Sequence, residues 1–302
     1  MVVLFKGLFH LYSHPMQGLQ NNVFPSKLSL NCRGKLIDLS QPKVMGILNV
    51  TPDSFFDGGR YRNLDDALRM AEKHIEAGAT FIDMGGMSTR PKSELISVDK
   101  ELARLLPAIE AIRAQFPEVV ISADTFRARV AKEAVMSGAD MINDVGGGTL
   151  DEYMFQTLAE LNVPYVMMHI QGTPQTMQEN PVYRDVLSEV EDYFIQRCFT
   201  LRSLGVKDVI IDLGFGFGKT LEHNYTLLNG MRHFKSIGIP ILAGLSRKSM
   251  IYRVLGTKAA DALNGTTALN MKALEQGASI LRVHDVKEAI ECVKLYNGTE
   301  LS

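Results

Sequence analysis

Eight short apolar segments alternate with helical patterns along most of this chain, and this alternation limits the folds it can adopt. The segments predicted as strands are Val44–Leu48, Thr80–Met84, Val119–Ala123, Met141–Asn143, Tyr165–Met168, Val209–Asp212, Ile241–Gly244 and Ile280–Val283. The predicted helices are Leu64–Ala77, Lys100–Phe116, Ala128–Ser137, Glu152–Leu161, Tyr183–Leu204, Glu222–Phe234, Ala260–Gln276 and Val286–Tyr296. No linker rich in glycine and serine interrupts the series. The pattern therefore favours an α/β fold of the closed (β/α)₈ TIM-barrel type over a doubly wound sheet.

The size and composition of the chain fit one such barrel. It has 302 residues, and a (β/α)₈ barrel needs about 250. The formal net charge of −2 and the pI of about 6.4 predict no bulk attraction to nucleic acid or to an anionic membrane. No segment reaches the roughly 18 uninterrupted apolar residues that a membrane-spanning helix requires. The cysteines, Cys32, Cys198 and Cys292, match no zinc or disulfide spacing, which favours a cytoplasmic protein.

Residues 1–25 are predicted to form a poorly ordered extension ahead of a single barrel domain that spans residues 26–302. The apolar stretch Val2–Phe5 is too short for the core of a secretory signal. An early start codon is an alternative explanation of this segment, since Met16 lies downstream. After it, an alternating apolar pattern with a central turn predicts a hairpin that caps the bottom of the barrel. The pattern consists of Leu28, Leu30, Cys32, Arg33-Gly34, Leu36 and Ile37.

Polar side chains follow nearly every predicted strand at its carboxyl end. These residues are Asn49, Ser88, Thr89, Arg90, Asp124, Asn143, His169, Asp212, Ser246–Ser249, Arg282 and His284. A single aspartate in such a position is more often a helix N-cap than a catalytic acid. In a barrel, however, the carboxyl ends of all the strands converge. The whole set therefore predicts a functional site at that face.

The polar residues fall into two chemical groups. Asp124, Asn143 and Asp212 provide carboxylate and amide groups beside buried strand ends, where an unpaired acceptor is costly. A flat heterocycle with hydrogen-bond donors on its edge would satisfy them. The second group combines cations with neutral donors, which suits a phosphate or diphosphate. Its members are Asn49, Thr89, Arg90, Arg282 and His284.

A glycine-rich loop after the sixth strand does not match the usual nucleotide-binding loops. The segment Gly214–Thr220 lacks the first glycine of a Walker loop, since that position is Leu213. Its Gly-x-Gly-x-Gly spacing also differs from the Rossmann pattern. We interpret Phe215 and Phe217 as residues that flank a flat ligand. His10 and His14 have helical spacing, but no third ligand accompanies them, so no metal site is predicted there.

Motifs in a fixed order along the chain resemble those of the dihydropteroate synthase family of pterin-binding (β/α)₈ barrels. The matching segments are Gly46–Phe55, Gly85-Gly86, Ser88–Pro91, Ser122–Thr125, Ile142–Val145, Met168-His169, Gly172–Pro174, Asp212, Gly214–Lys219, Ser246–Ser249 and Arg282–Asp285. The resemblance covers the chain from about Lys43 to its end. It implies an enzyme of folate biosynthesis that joins 4-aminobenzoate to hydroxymethyl-dihydropterin diphosphate, forming 7,8-dihydropteroate and pyrophosphate. It also implies a homodimer and a sulfonamide target.

The resemblance further implies a role for each matching residue. The pterin would be bound by Asp124, Asn143, Asp212 and Lys248, with Arg282 stacked on its ring and Met168 among the substrate-binding residues. The diphosphate would be held by Asn49, Thr89, Arg90, Arg282 and His284, with Mg²⁺ near Asn49. The aminobenzoate would be bordered by Pro91, Phe217, Lys248 and Ser249. Asp53 and Arg90 are expected to lie on loops that close over the substrates.

The expected reaction requires no side-chain nucleophile. Mg²⁺ and cationic side chains would stabilise the departing diphosphate, and the aromatic amine would attack a pterin-methyl cation whose charge Asp124 and Asp212 favour. The residues expected to act in catalysis are Asn49, Asp53, Arg90, Asp124, Lys248, Arg282 and His284.

Three positions depart from the family pattern. Met87 stands where the family usually has glutamate, Lys92 where it has glycine, and Leu213 where it has proline. We interpret Met87 as tuning loop closure or the response to inhibitors. Two alternatives stay open: a non-catalytic pterin-binding paralogue and a methyltetrahydrofolate-binding methyltransferase, because a shared fold does not guarantee a shared activity.

Overall fold

A computed structural model of the chain describes residues 23–24, 26, 28–50, 60–87, 95–177, 179 and 181–299, with the side chains of residues 60–63 excepted. Its main feature is a closed barrel of eight parallel strands in the order β10-β3-β4-β5-β6-β7-β8-β9. The strands are β3 (Lys43–Asn49), β4 (Phe81–Gly85), β5 (Val120–Asp124), β6 (Met141–Asp144), β7 (Tyr165–Met168), β8 (Val209–Asp212), β9 (Ile241–Ala243) and β10 (Ile280–Val283). The predicted TIM barrel is confirmed.

Helices connect the strands and surround the barrel. In the part of the chain that the structure describes, they are α1 (Arg60–Glu76), α2 (Val98–Gln115), α3 (Ala128–Met136), α4 (Met154–Leu161), α5 (Val186–Ser203), α6 (Leu221–Asn229), α7 (Ser249–Leu255), α8 (Leu263–Glu275) and α9 (Val286–Thr299). None of these described helices is both long and apolar enough to cross a membrane.

Two helical segments differ from the sequence prediction. The helix predicted over Glu222–Phe234 ends at Asn229, and Gly230 separates it from a 3₁₀ helix over Met231–Ile237. Helix α7 was not predicted, because its seven residues are too few to show a clear helical period.

The barrel interior is apolar at its amino-terminal end. One residue from each strand joins a buried cluster there: Met45, Phe81, Val120, Met141, Val166, Ile210, Leu242 and Ile280. Strands β1 (Ser29–Cys32) and β2 (Lys35–Asp38) form an antiparallel hairpin. Leu30, Cys32 and Ile37 of that hairpin, with Leu39 after it, complete the same cluster. The predicted hairpin that caps the bottom of the barrel is therefore confirmed.

The opposite half of the barrel interior is polar. Because side chains alternate along a strand, residues two positions beyond the apolar layer point into the barrel as well. These residues are Ile47, Asp83, Ser122, Asn143, Met168, Asp212, Gly244 and Arg282, and five of the eight are polar or charged. The intervening strand residues, such as Ile82, Ile121 and Ile211, pack outward in the main core between sheet and helices. The strand pattern thus separates an apolar base from a polar mouth.

The chain segment just before the hairpin also packs against the barrel. The backbone N–H groups of Val23 and Phe24 donate to the carbonyl oxygens of Ser236 and Ile237, at 2.7 and 3.0 Å. The Phe24 ring lies edge-on to Phe199, with 4.9 Å between ring centroids. Contacts with the domain therefore begin before the predicted boundary at residue 26, and residues 1–22 lie outside the described part.

The hairpin contribution can be measured with a matched pair of leucines. Leu30 is fully buried in the apolar base, whereas Leu36 in the same hairpin is 72% exposed. Leu30→Ala should lower the free energy of unfolding by about 2–5 kcal/mol, because it leaves a cavity in the core. Leu36→Ala should change it by less than about 0.5 kcal/mol. Urea titrations followed by circular dichroism make the comparison, and equal effects would mean that the hairpin does not plug the barrel.

Candidate active site

The buried carboxylate of Asp83 connects several strands at the polar mouth of the barrel. Its Oδ1 accepts a hydrogen bond from Ser122 Oγ on β5, at 2.6 Å. Its Oδ2 accepts from Asn143 Nδ2 on β6 at 3.0 Å and from Arg282 Nε on β10 at 2.6 Å. The Asp83 side chain is fully buried, so these three donors replace the water it has lost. Asp83 thereby fixes the orientation of side chains from three other strands.

Arg282 bridges two carboxylates at the site. Besides its bond to Asp83, its NH2 donates to Asp124 Oδ2 at 2.7 Å, and the arginine side chain is 20% exposed. Burial opposes the positive charge of Arg282, but Asp83 and Asp124 outweigh that effect, so the pKa of Arg282 is raised. The guanidinium is consequently a permanent cation held in one plane.

Asp124 lies at the end of β5 among several other acidic groups. Burial raises the pKa of its carboxyl to about 7, against the lowering effect of Arg282. The nearby charges of Asp83, Glu101 and Asp144 add to the increase. Asp124 is therefore a group whose charge near neutral pH depends on what binds beside it.

Asp212 and Lys248 meet on the other side of the mouth. A Cβ atom added to Gly244 would lie 3.7 Å from both Asp212 Oδ2 and Lys248 Nζ, so this glycine leaves room for the two side chains. Asp212 Oδ1 accepts from the Gly214 N–H at 2.8 Å. Burial raises the pKa of Asp212 and lowers that of Lys248 to about 8. A buried acceptor and a buried donor thus face one shared space.

The glycine-rich loop holds the amino group of Lys248. Lys248 Nζ donates to the carbonyl oxygen of Phe215, and it lies 4.8 Å from the centre of the Phe217 ring. The Lys248 Cδ atom would be 3.5 Å from a Cβ on Gly216, whose φ is +81°. The loop therefore contacts Lys248 through the Phe215 carbonyl and the Phe217 ring. Phe217 agrees with the interpretation that it borders the ligand site, whereas the interpretation is wrong for Phe215, whose side chain is fully buried in the core between sheet and helices.

Two parallel links join the loop after β9 to the loop after β10 at the rim of the mouth. Ser246 Oγ is 3.0 Å from His284 Nδ1 and also accepts from the His284 N–H. Arg247, next to Ser246, makes a bidentate ion pair with Asp285, with both N···O distances 2.8 Å. Arg247 has a φ of +54°, which is uncommon for a non-glycine residue. The bidentate ion pair with Asp285 holds the Arg247 backbone in this conformation. Lys248 is the next residue along the chain.

The remaining predicted residues lie around this centre. Asn49 is half-buried at the end of β3, where a Cβ on Gly85 would be 3.5 Å from Asn49 Oδ1. Ser249 is the half-buried first residue of α7. Met168 and Phe217 belong to an apolar cluster beside the mouth. Asp53, Thr89, Arg90 and Pro91 were predicted as site residues and lie outside the described part of the chain.

The apolar cluster accounts for the surroundings of Met87. This side chain is 6% exposed and packs in the cluster with Phe126, Val145 and Met168. A carboxylate in such surroundings would need a partner or lose much of its solvation. The methionine that departs from the family pattern thus fits the apolar environment it occupies.

Sequence reasoning missed several buried charged groups near the site, among them Asp83 and Lys219. Asp83 stands inside an apolar strand, and only the presence of a charge in such a run signals an unusual role. Lys219 belongs to the glycine-rich loop and to a segment that matches the family motifs, but no role was predicted for it. It is 3% exposed, and its Nζ is 2.9 Å from His169 Nδ1. His169, noted at its strand end, is therefore occupied by this contact.

Comparisons with known proteins agree with this geometry. The family model described as "Pterin binding enzyme" matches residues 45–284. The dihydropteroate synthase of Escherichia coli (strain K12) is 45% identical over 274 residues, covering 90% of this chain and 96% of that protein. A Yersinia pestis dihydropteroate synthase structure with a sulfonamide drug complex has a TM-score of 0.85 and 40% identity, covering 91% of this chain and 100% of that one.

A second solved structure of similar fold contains 4-aminobenzoic acid. It is the Xanthomonas albilineans dihydropteroate synthase with 4-aminobenzoic acid, with a TM-score of 0.85 and 37% identity. The match covers 91% of this chain and 99% of that one. At these identities and coverages the similarity extends over the barrel and its mouth.

The role of Asp83 predicts a large effect on stability from a small chemical change. Asp83→Asn removes one partner of a buried ion pair, which should lower the free energy of unfolding by about 3 kcal/mol. The value is at the low end for such changes because Asp124 still pairs with Arg282. Ser122→Ala, which removes one neutral donor to the same carboxylate, should cost about 1 kcal/mol. Denaturant unfolding compares them, and equal losses would contradict the central role of the carboxylate.

Proposed function

The chain belongs to the pterin-binding enzyme family, and we propose that it catalyses the dihydropteroate synthase reaction. In this reaction 4-aminobenzoate displaces the diphosphate of hydroxymethyl-dihydropterin diphosphate, giving 7,8-dihydropteroate and pyrophosphate. One observation carries the proposal: Asp124, Asn143 and Asp212 come from three different strands to one polar mouth, beside Lys248 and Arg282. This arrangement suits a flat heterocycle with a polar edge and an anionic substituent.

The acceptor groups would bind the pterin ring. Asp124, Asn143 and Asp212 accept hydrogen bonds from its N–H and amino groups, and Lys248 donates to its carbonyl side. Arg282 is held by two carboxylates, so its planar guanidinium is already oriented when it stacks on the pterin ring.

The diphosphate would lie at the rim, where Arg282 and His284 supply donors. Asn49 adds its side-chain NH2 group as a donor, and the absence of a side chain at Gly85 leaves the space beside Asn49 open. Thr89 and Arg90 are proposed to complete this group of donors, and Asp53 to close over it. These roles rest on the motif that the residues share with the family.

A Mg²⁺ ion near Asn49 fits the residues present. No group of three metal-ligating side chains occurs among the described residues. Mg²⁺ usually has few protein ligands and takes the others from substrate phosphates and water, so one amide oxygen is a suitable anchor. When bound, the ion would neutralise charge on the leaving diphosphate.

The reaction would proceed by substitution at the pterin methyl carbon. As the C–O bond to the diphosphate breaks, Arg282 and His284 stabilise the negative charge that develops on the leaving group. The pterin-methyl cation delocalises its charge into the ring, where the carboxylates of Asp124 and Asp212 favour it. The amine nitrogen of 4-aminobenzoate then forms the C–N bond and loses its proton. No side-chain nucleophile takes part.

The 4-aminobenzoate would bind between the loop after β8 and the start of α7. Phe217 provides an aromatic face and the Lys248 side chain borders the ring, while Ser249 provides donors for the carboxylate. Pro91 is proposed to cover the opposite side, and Met168 to contact the substrates from the apolar cluster. Sulfonamides, which resemble 4-aminobenzoate, would compete for the same position, and Met87 in that cluster would tune the competition.

The proposal also covers where the protein is located in the cell and how many copies it assembles into. The protein is proposed to be cytoplasmic, supported by three buried free cysteines, Cys32, Cys198 and Cys292. It is proposed to form a homodimer, and the exposed Val254 and Leu255 on α7 offer an apolar surface for a second copy.

The reaction is tested by measuring pyrophosphate and dihydropteroate formation with purified protein. Both products should require the pterin diphosphate, 4-aminobenzoate and Mg²⁺ together, and chelation by EDTA should stop the reaction. Tight pterin binding without turnover would instead support the non-catalytic paralogue. Methyl transfer from methyltetrahydrofolate would support the methyltransferase.

Pterin binding should depend on pH through Asp124. Burial raises the pKa of this carboxyl to about 7 in the free protein, and ring donors favour its ionised form. Affinity should therefore fall by up to about tenfold per pH unit as the pH drops below 7. Isothermal titration calorimetry with 6-hydroxymethyl-7,8-dihydropterin measures this dependence.

Asp124→Asn provides the necessary comparison. Burial also lowers the pKa of Lys219 to about 7 and that of Lys248 to about 8, so these two lysines change charge in a pH range close to that of Asp124. The loss of affinity at low pH should disappear in Asp124→Asn, whereas an unchanged slope would assign it to another group.

A further inference from the structure

The Lys219 side chain is the most deeply buried amino group beside the site, and the proposed reaction does not use it. Its Nζ lies 3.1 Å from the carbonyl oxygen of Gly214, 3.0 Å from that of Phe217 and 3.3 Å from that of His169. The fourth neighbour is His169 Nδ1 at 2.9 Å. All four neighbours can accept hydrogen bonds, and the three N–H groups of a protonated lysine are shared among them.

These contacts join the glycine-rich loop to the end of β7. Gly214 and Phe217 belong to the loop, whereas His169 follows the last residue of β7. The approach is close: a Cβ on Gly214, where φ is +66°, would be 2.0 Å from the His169 carbonyl oxygen. The loop backbone can therefore reach this position only with glycine, and Lys219 donates to the carbonyl groups that this approach brings together.

The same loop holds groups that contact the proposed substrates. The Phe217 ring lies 4.8 Å from Lys248 Nζ, and the Phe215 carbonyl accepts a hydrogen bond from it. The Gly216 N–H donates to Asn224 Oδ1 at 2.7 Å, which fixes the loop on its outer side. Lys219 fixes the inner side, at the residues just before and after the Phe215–Gly216 pair.

We propose that Lys219 is a positioning residue, which holds the loop Gly214–Phe217 against His169 so that Phe217 and Lys248 border the 4-aminobenzoate. The inference rests on the proposed function, since it assigns an effect on one substrate of that reaction. It predicts that loss of the Lys219 amino group impairs aminobenzoate binding more than pterin binding, because Asp124, Asn143 and Arg282 belong to other strands. A smaller loss of pterin affinity is also expected, since two further pterin contacts, Asp212 and Lys248, touch the loop.

The test compares Lys219→Met with the unaltered enzyme. The KM for 4-aminobenzoate should rise about 10- to 100-fold, the size of effect that a misplaced substrate group produces. The Kd for the pterin should rise less than this KM, because only two of the proposed pterin contacts, Asp212 and Lys248, touch the loop. Lys294→Met is the matched control, since this lysine is exposed on α9. Unchanged aminobenzoate kinetics in Lys219→Met would overturn the proposal.

A double mutant tests whether Lys219 acts through the loop. If it does, adding Lys219→Met to Phe217→Ala should raise the KM for 4-aminobenzoate much less than it does alone, because coupled residues are not additive. Full additivity would contradict the proposal. If Lys219→Met does not fold, Lys219→Gln keeps two hydrogen-bond donors without the charge and should show a smaller increase in the same constant.

A measurement on the unaltered protein gives a readout that does not depend on turnover. When Lys219 donates to His169 Nδ1, the proton of the neutral imidazole must lie on Nε2. The ¹⁵N NMR spectrum of labelled histidine should show this tautomer, and Lys219→Met should change it. If the enzyme turns over but the His169 proton lies on Nδ1, the inference about Lys219 is rejected and the proposed function stands. If the tautomer is as expected but the protein does not turn over, only the proposed function is rejected.

Discussion

The arrangement of the polar half of the barrel depends on the buried carboxylate of Asp83 and on the hydrogen bonds that it accepts. A charged group with no exposure to solvent is tolerated only when donors replace its hydration, and here the donors come from β5, β6 and β10. Each donor is then no longer free to turn, so Ser122, Asn143 and Arg282 are oriented before any substrate arrives. In this protein the cost of burying a charge is offset by the same contacts that build the site.

A second layer of organisation lies in the loops that follow the strands. Arg247 and Asp285 join the loops after β9 and β10, and Lys219 joins the glycine-rich loop to β7. In both cases a side chain with several donors contacts backbone carbonyls or a carboxylate from separate segments. The residues proposed to touch the substrates, such as Lys248 and His284, are neighbours of these anchors and not the anchors themselves. The substrate-contacting residues are thus held in place by basic side chains that do not themselves contact the substrates.

The sequence predicted the barrel, the capping hairpin and the face of the site, because each depends on local periodicity or on strand ends. Asp124, Asn143 and Asp212 were recognisable since a polar residue directly follows or ends an apolar strand. Asp83 was not, because its partners lie 39, 60 and 199 residues away and only the register of the closed sheet brings them together. Lys219 was missed for the same reason, since its contact with His169 spans 50 residues.

The two ends of the barrel are chemically independent. The hairpin fills the base with apolar side chains, and α9 runs away from the mouth after β10, as helices in this fold do. The described chain therefore enters and leaves on the face opposite the substrates. A protein that binds the ends of the described chain would therefore contact the base and leave the mouth open to substrates.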